Sequence, residues 1–299
     1  MKKAINKLSE ENYFNFYSAF FRIFICFHLF KKIILSWEYK ELLYTSDSFM
    51  MSFNTGYFEF FNINDSIIRD NFQIFYMLYI ICILLYFFGI GKNITAFFLF
   101  IFLEIVQNLC PSILNGGDNL LKFIMLYMVF INSYEYFSIK SQYFENSELS
   151  KFNIFISNLG GYAICIHLCM AYFISAIHKI HSGVWFNGVA TYHIMSLERF
   201  KGTSYNLDLA KNAPFVLIST YGTVLIELFY PAFIWFDKTR NIMIILAIIL
   251  HVSIYIFMMI YDFQLVFIFV QGFFISNETW VKFYEKLKIR LENLVIVRM

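Results

Sequence analysis

Charged residues are scarce in this chain. Of its 299 residues, 15% are Asp, Glu, Lys or Arg, whereas 60% are hydrophobic, and the mean hydropathy is positive. Soluble globular domains carry about 25% charged residues, so this composition excludes that class. Several apolar runs approach or exceed the ~20 residues that a helix needs to cross the hydrocarbon core of a bilayer. The composition therefore predicts an all-α protein that crosses the membrane several times.

The chain also lacks the features of nucleic-acid-binding and metal-binding proteins. Its formal net charge is +2, and no segment carries a basic stripe, which argues against a nucleic-acid partner. No CxxC or HExxH motif is present, so we predict no metal site. The cysteines are therefore interpreted as thiols that pack in the core. They are Cys26, Cys82, Cys110, Cys165 and Cys169.

Proline is rare as well, and Pro111, Pro214 and Pro231 are the three prolines of the chain. Because backbone that faces lipid must satisfy its own hydrogen bonds, each apolar run is expected to be helical. We predict one membrane domain over residues 1–299, a polytopic bundle of about eight transmembrane helices with no large soluble domain. The predicted spans are 13–35, 72–90, 94–110, 120–137, 152–177, 213–236, 241–260 and 262–276.

The first apolar run is predicted to be a membrane helix and not a cleaved signal peptide. It contains Arg22 and His28, and it lacks a small-x-small cleavage site. The loops that an N-in topology places in the cytoplasm carry more Lys and Arg than the opposite loops. Both termini of a plasma-membrane protein are therefore predicted to be cytoplasmic. The two long loops, 36–71 and 178–212, would then face outward.

Residues 277–299 are predicted to form a cytoplasmic amphipathic tail. Apolar residues recur there at helical spacing, with basic residues between them. Such a helix can lie on an anionic membrane leaflet. It can also offer a docking surface to a cytosolic partner, and the sequence leaves both alternatives open.

Ionisable side chains within the predicted spans are costly unless they are paired or used. Arg22 and Glu227 lie at similar depth in their spans, and we predict a buried structural ion pair between them. Glu104 and Lys122 are predicted to pair across a helix hairpin. The remaining intramembrane candidates are histidines, which we predict to be hydrogen-bonded to neighbouring helices. They are His28, His167 and His251.

The turn of that hairpin has the sequence NGGDN at residues 115–119. Gly116 and Gly117 are expected to allow a tight reversal with positive φ. Asp118 would either cap the following helix or face an external cavity, and capping is the favoured interpretation.

Segment 171–200 is the strongest candidate for a functional site. An apolar helix there runs into Lys179, which is flanked by His178 and His181. A desolvated Lys beside imidazoles can act as a general base or a nucleophile. The alternative is an interfacial Lys that extends to the lipid headgroups, next to an aromatic belt. The turn that would cover this site contains Trp185, Asn187 and Gly188.

Four stretches of the chain resemble the HTTM family, the membrane domain shared with vitamin K-dependent gamma-carboxylase. They are ISAIHKIHSGVWFNGVATYHI (174–194), ELFYPAFIW (227–235), LNGGDNLLKF (114–123) and the helix around His251. Among small bacterial members, the similarity is closest to the sporulation-delaying protein B (SdpB) group. Those membrane proteins are required for the maturation of a secreted antimicrobial peptide.

The resemblance implies roles for particular residues. In the carboxylases a Lys at this position is regarded as the base that deprotonates vitamin K hydroquinone, which makes Lys179 the implied base here. His178 stands where the carboxylases have a second Lys, and one more residue separates Lys179 from Trp185. Lys179, His178 and His181 would be catalytic. The residues that would support the site are Arg22, Glu104, Asp118, Lys122, Glu227 and His251.

The same resemblance implies the partners: membrane lipids, a peptide substrate and a small SdpA-like partner protein. The first hypothesis is therefore a membrane protein that matures or helps to produce a secreted antimicrobial or toxin peptide. A second hypothesis is a quinone-linked membrane enzyme of the gamma-carboxylase type. A third is a non-catalytic protein that binds the peptide or confers immunity to it.

Overall fold

The computed structural model describes residues 2–46, 65–139 and 148–296. Every regular element in these ranges is helical, as predicted. The α-helices of the described residues are α1 (Lys2–Glu10), α2 (Asn15–Ser36), α3 (Lys40–Tyr44), α4 (Ser66–Asp70), α5 (Phe72–Phe87), α6 (Lys92–Leu109), α7 (Gly116–Met128), α8 (Glu148–Ile180), α9 (Gly183–Phe186), α10 (Ala190–Met195), α11 (Asn206–Ala210), α12 (Ala213–Phe233), α13 (Asp237–Met258), α14 (Tyr261–Val270) and α15 (Asn277–Ile296).

Four of these helices are long and apolar enough to cross a membrane: α6, α8, α12 and α13. At a rise of about 1.5 Å per residue, ~20 residues match a hydrocarbon core of ~30 Å, and α8 with its 33 residues exceeds that length. Two shorter apolar helices are Phe72–Phe87 and Tyr261–Phe274. The described part of the chain thus contains the helices of a multi-span membrane protein.

The predicted set of eight spans is matched only in part. Helix α7 ends at Met128, so the predicted span 120–137 is helical only in its first half. Beyond the helix, Asn132 Nδ2 donates a 3.1 Å hydrogen bond to Glu135. Its Oδ1 accepts one of 3.4 Å from the backbone N–H of Tyr134. Local bonds of this kind compete with helix formation, which explains why the apolar run does not continue as a helix.

The first predicted span and both predicted long loops contain helices. Helix α2 covers the first predicted span, but Arg22, Lys31 and Lys32 make it more polar than the four long helices. The loop predicted at 36–71 contains α3 and α4, and its residues 47–64 lie outside the described residues. The last three residues of the predicted tail lie outside them too. Short helices α9, α10 and α11 occupy the second long loop.

Two of the three prolines lie at helix boundaries. Pro111 begins a short 3-10 helix directly after α6, and Pro214 occupies the first turn of α12. Both positions suit a residue that cannot donate a backbone hydrogen bond. Pro231 lies inside α12 near its C-terminal end.

The chain divides into two compact units. In the first, Met1–Tyr162 with Ile275–Met299, α2 packs on α5 and α15, and α5, α6 and α7 are successive neighbours. On α2, Phe21 and Ile25 are one turn apart and fully buried, as expected for the apolar face of a helix. This unit is therefore a helical bundle built around an apolar core.

Helix α8 holds the turn between α1 and α2 through two residues of the first unit. Asn158 Nδ2 donates to the backbone carbonyls of Leu8 (2.8 Å) and Glu11 (2.7 Å), and its Oδ1 accepts from Tyr13 N (2.8 Å). The ring of Phe14 lies against Gly161 and occupies the space that a Cβ atom at this position would need.

In the second unit, Ala163–Phe274, α12, α13 and α14 are successive neighbours, and the short helix α10 packs on α11 and α12. The loop after α10 is held against the end of α13. Gly202 N donates to Phe257 O over 3.0 Å, and Asn206 Nδ2 donates to the same oxygen over 2.6 Å. A Cβ atom at Gly202 would overlap this backbone, so the close approach requires glycine. This unit contains the candidate site.

Candidate functional site

The centre of the second unit is an ion pair between Lys179, in the last turn of α8, and Glu227, in α12. The Lys179 Nζ atom lies 2.7 Å from Glu227 Oε1 and 2.6 Å from Oε2. A third hydrogen bond of 2.6 Å goes to Oγ of Ser175, one turn earlier on α8. An ammonium group has three N–H donors, and these bonds use all of them. The Lys179 side chain is therefore directed to α12.

Both members of this pair are largely removed from solvent. The exposed fraction is 19% for the Lys179 side chain and 10% for that of Glu227. Buried charges are stable only when the partner and further hydrogen bonds replace their hydration, which Ser175 helps to do here. The ring of Trp185 lies 5.1 Å from Nζ, within the range of a cation–π contact.

A cavity of about 370 Å³ opens beside the ion pair, inside the second unit. Its volume lies in the range of small-molecule sites in proteins, roughly 300–1,000 Å³. Its walls are mainly apolar and aromatic. The bulky residues among them include Phe200, Phe215, Leu250, Phe257, Phe263 and Phe267. The cavity therefore offers an apolar space with a Lys–Glu pair in its wall.

His251, on α13, adds a second polar group to this wall. Its Nδ1 is hydrogen-bonded to Oε1 of Gln264, an atom that can only accept, so Nδ1 carries the proton. The Tyr172 hydroxyl then donates to Nε2 over 2.7 Å. Gln271 Nε2 donates to Tyr172 Oη over 3.0 Å, and Tyr230 Oη donates to Gln271 Oε1. The predicted hydrogen bond from His251 to a neighbouring helix is confirmed.

Hydroxyl groups line another part of the cavity. Ser219 Oγ lies 3.0 Å from Thr191 Oγ1, and Thr220 Oγ1 lies 2.9 Å from the same atom. Thr191 N also donates to Thr220 Oγ1 over 3.1 Å. These bonds tie α10 to α12, and they place the side chains of Thr191 and Ser219 at the cavity surface.

The structure does not bring His178 and His181 to this cavity. Both side chains are exposed, and His181 Nδ1 bonds instead to the carbonyl of Ile177 at 2.8 Å. Successive helical residues point about 100° apart, so Lys179 can face α12 only if its neighbours face elsewhere. The structure therefore groups Lys179 with Ser175 and Glu227, and not with His178 and His181 as predicted.

The turn predicted to cover the site is in place, but its residues have different surroundings. Trp185 lines the cavity, whereas the Asn187 side chain is exposed. Gly188 is buried with φ +75°, and a Cβ atom there would lie 2.9 Å from Leu217. Glycine is required here both for the left-handed backbone and for the close approach. Tyr221 Oη donates to the carbonyl of Phe186 over 2.8 Å and fixes the turn on α12.

The expected ion pair between Arg22 and Glu227 is wrong. Glu227 binds Lys179, while Arg22 is fully buried in the first unit and donates to backbone oxygens and one hydroxyl over 2.5–3.3 Å. These acceptors belong to Tyr86, Phe87, Ser133, Tyr136, Phe137 and Ser138. The carbonyls at the end of α5 have no partner within their helix, so they offer the partial negative charge that Arg22 needs.

The predicted pair of Glu104 and Lys122 is confirmed, with Lys122 Nζ 3.7 Å from Glu104 Oε1. Asn108 Nδ2 adds a 3.3 Å bond to the other carboxylate oxygen. This pair links α6 to α7 and lies in the first unit. It belongs to the hairpin and not to the cavity of the second unit.

Asp118 takes part in the cap of α7, as favoured, but as the third residue of the helix, while Asn115 is the N-cap residue. Asp118 Oδ2 accepts from Asn115 N over 3.0 Å, and the Asn115 side chain accepts from Gly117 N and Asp118 N, which completes a capping box. Asp118 Oδ1 is further bound by Lys32. The prediction of positive φ at Gly116 and Gly117 was wrong, because these are the first two residues of α7 and have helical backbone angles.

Sequence reasoning missed the roles of Tyr172, Ser175, Gln264 and Gln271. Tyr172, Ser175 and Lys179 are spaced by three and four residues, which puts them on one helix face, and this spacing could have indicated the first two. Gln264 and Gln271 gave no comparable indication, since their partners come from other helices.

Within the described residues, no group of three or more His, Cys, Asp or Glu side chains is arranged to hold a metal ion. All five cysteines are buried and outside disulfide bonds, in agreement with their interpretation as core thiols. His28 lies buried in α2 and His167 half-buried in α8, and their predicted hydrogen bonds stay predictions.

Comparison of the chain with protein-family models, with curated proteins and with solved structures found no match. The buried Lys–Glu pair in the wall of the apolar cavity of the second unit is therefore the feature that indicates a function.

Proposed function

We propose that this chain is a plasma-membrane protein required for the maturation or production of a secreted antimicrobial or toxin peptide, and that Lys179 is its proton-transfer residue. One observation carries the proposal: the Lys179 ammonium is held by both oxygens of Glu227 at the wall of an apolar cavity. A purely structural ion pair has no need of an adjoining cavity. The sequence resemblance to the SdpB group supplies the peptide as substrate.

The Lys179–Glu227 pair can supply a base without a change in the net charge of the site. If one proton moves from Lys179 Nζ to a Glu227 oxygen, the products are a neutral amine and a neutral carboxylic acid. A low-dielectric site disfavours separated charges, so this shift is less costly there than the release of a proton to water. The amine nitrogen then has a lone pair that can accept a proton from a substrate in the cavity. His251 and Tyr172 are fixed in the same wall as hydrogen-bonding groups.

The finer topology is part of the proposal. Eight spans with both termini in the cytoplasm would require α2, α5, α7 and α14 to cross the membrane together with the four long helices. The excess of Lys and Arg in the cytoplasmic loops of that arrangement supports it. Lys179 would then face the extracytoplasmic side, where a secreted peptide is processed.

A second candidate is a quinone-linked membrane enzyme of the gamma-carboxylase type. The aromatic walls and the volume of the cavity favour it, since both suit a flat apolar ring system. Phe263, Phe267 and Trp185 would hold the ring, with Lys179 beside it. A quinone, when bound, supplies redox chemistry that no side chain of the cavity can supply.

Replacement of Lys179 tests the first proposal. We expect the double variant Lys179→Met/Glu227→Gln, which leaves no unpaired buried charge, to abolish the growth-inhibiting peptide in the culture medium while the amount of the protein in the membrane is unchanged. His178→Gln is the matched control, because its side chain is adjacent but exposed outside the cavity. Normal peptide in the strain with the double variant would contradict a catalytic Lys179 and favour a protein that only binds the peptide.

Mass spectrometry of the same peptide separates the two enzymatic candidates. Carboxylation of a Glu side chain through a base-generated carbanion adds roughly 44 Da, the mass of CO₂. A peptide without this increase excludes the carboxylase candidate and leaves peptide maturation by other chemistry.

A further inference from the structure

The C-terminal helix α15 consists of a packed part and a free part. Asn277 Oδ1 accepts a 3.0 Å hydrogen bond from Phe16 N at its start. The ring of Trp280 stacks on Tyr17 at 4.8 Å, and Tyr284 lies 5.4 Å from Phe16. These contacts lie within the first unit and fix the first two turns of the helix. Residues 285–293 are exposed.

Two parallel rows of side chains run along this helix. Phe283, Leu287 and Leu291 are spaced by four residues and have exposed fractions of 59%, 46% and 55%. Positions four apart lie above one another on a helix face, so these three form one apolar row. The residue before each of them is basic, so a row of cations runs along the helix about 100° around from the apolar row. These cations are Lys282, Lys286 and Arg290.

The acidic residues of the free part lie away from the apolar row. Glu285 and Glu292 are seven positions apart and share a face more than 100° from Leu287, as the 100° step per residue requires. Glu278 is paired with Lys282 at 2.5 Å, and this hydrogen bond lowers the pKa of the Glu278 carboxyl. Lys286 and Arg290 are therefore the cations of this row that have no carboxylate partner among the described residues, whereas Lys282 is paired with Glu278.

We propose that the exposed side of α15 from Phe283 to Leu291 binds an anionic lipid surface, with Phe283, Leu287 and Leu291 at the acyl boundary and Lys286 and Arg290 on lipid phosphates. The charge pattern favours this occupant. An apolar face with basic residues along its edge is the pattern of helices that lie in the membrane interface. A second copy of the chain would bring two identical rows of cations together in a symmetric contact, which like-charge repulsion opposes. Lipid binding by α15 does not depend on the chemistry of Lys179.

Hydrogen–deuterium exchange of the full-length protein in lipid nanodiscs tests this proposal. One set of discs contains phosphatidylcholine alone, and the other contains phosphatidylcholine with phosphatidylglycerol. We expect the amides of residues 285–293 to exchange about tenfold more slowly in the anionic discs, because each basic side chain gains from the surface potential. Amides of the packed residues 277–284 should exchange equally slowly in both sets.

Two double variants provide the controls. Lys286→Gln/Arg290→Gln should remove the difference between the two discs, whereas Glu285→Gln/Glu292→Gln on the other face should preserve it. Equal, fast exchange in both discs for the unmodified protein would overturn the proposal and point to a protein partner. Slow exchange in both discs that depends on the number of copies per disc would also overturn it, in favour of a dimer.

Discussion

Both carboxylate oxygens of Glu227 lie within 2.7 Å of the Lys179 ammonium nitrogen, although the two residues are 48 positions apart in the chain. The pair joins the end of α8 to the middle of α12 and lies in the wall of the cavity. Each charge is therefore the main compensation for the other. This mutual dependence makes the energetics of the pair measurable.

Removal of one partner should cost more stability than removal of both. We expect Lys179→Met to lower the free energy of unfolding by about 3–5 kcal/mol, because Glu227 is left as a buried, unpaired charge. Glu227→Gln should act in the same direction. The double variant Lys179→Met/Glu227→Gln should recover most of the loss, since no uncompensated charge is left. Thermal unfolding of the detergent-solubilised full-length protein measures all three.

Lys211→Met is the matched control for the loss of a lysine in the same unit. Lys211 is exposed, so the change should alter stability by no more than about 0.5 kcal/mol. If the two single losses simply add in the double variant, the side chains do not depend on each other and the pair as described is refuted.

The site shows what the sequence can and cannot specify. Lys179 was identified from sequence because a charge at the end of an apolar helix is costly and therefore informative. Its partner was assigned wrongly, because Arg22 and Lys179 are both cations that could neutralise Glu227 and depth in a span does not distinguish them. Only the packing of α8 on α12 decides between them. The imidazoles next to Lys179 were misassigned because adjacency in sequence is not adjacency on a helix face.

Loss of the Tyr172 hydroxyl should be more harmful than loss of the Tyr230 hydroxyl. Tyr172→Phe leaves both Nε2 of His251 and one N–H of Gln271 without their partner, whereas Tyr230→Phe leaves only the Gln271 oxygen. A buried polar group without a partner costs about 1–3 kcal/mol, so the first variant should lose roughly twice as much stability as the second. Chemical or thermal unfolding of the two variants side by side gives the ratio.

Equal losses in the two tyrosine variants would mean that the hydroxyl of Tyr172 does not bridge two groups. Both residues are fully buried, at 2% and 0% exposure, so the comparison is not affected by a difference in solvent access.

The hairpin between α6 and α7 offers a separate test of a buried carboxylate. Asp118 is 2% exposed and is bound by Lys32 and by Asn115 N. Asn115→Ala should cost about 1 kcal/mol, the usual value of an N-cap. Lys32→Met should cost more, because it leaves the Asp118 charge uncompensated.

Addition of Asp118→Asn to the Lys32→Met variant gives the decisive comparison. Asn retains an oxygen for the Asn115 backbone and removes the charge, so stability should rise relative to Lys32→Met alone. A further fall in the free energy of unfolding would show that the charge of Asp118 is not what Lys32 compensates.

The fold was predicted best where apolar residues continue for a full span. The predicted 213–236 and 94–110 correspond closely to Ala213–Phe233 and Lys92–Leu109. Prediction failed after Met128, where hydropathy stays high but local hydrogen bonds of Asn132 end the helix. An average over a window of residues does not register one side chain that competes for the backbone.

Gly161 and Gly222 are both helical glycines, yet alanine should have opposite effects at the two positions. A Cβ atom at Gly161 would overlap the ring of Phe14, whereas at Gly222 nothing lies within 4 Å of it. Phe14 is itself buried and packs edge-on against Tyr162, so it has little room to move. Gly161→Ala should therefore destabilise the protein by about 1–3 kcal/mol, as overpacking of a core does.

Gly222→Ala should stabilise the protein, by up to about 1 kcal/mol, because alanine has the higher helix propensity and meets no atom. Unfolding of both variants under identical conditions checks the sign of each change. Stabilisation by Gly161→Ala would mean that the contact between α8 and Phe14 is looser than described. In that event Gly161 would be an ordinary helical position, and the anchoring of the turn between α1 and α2 would rest on Asn158 alone.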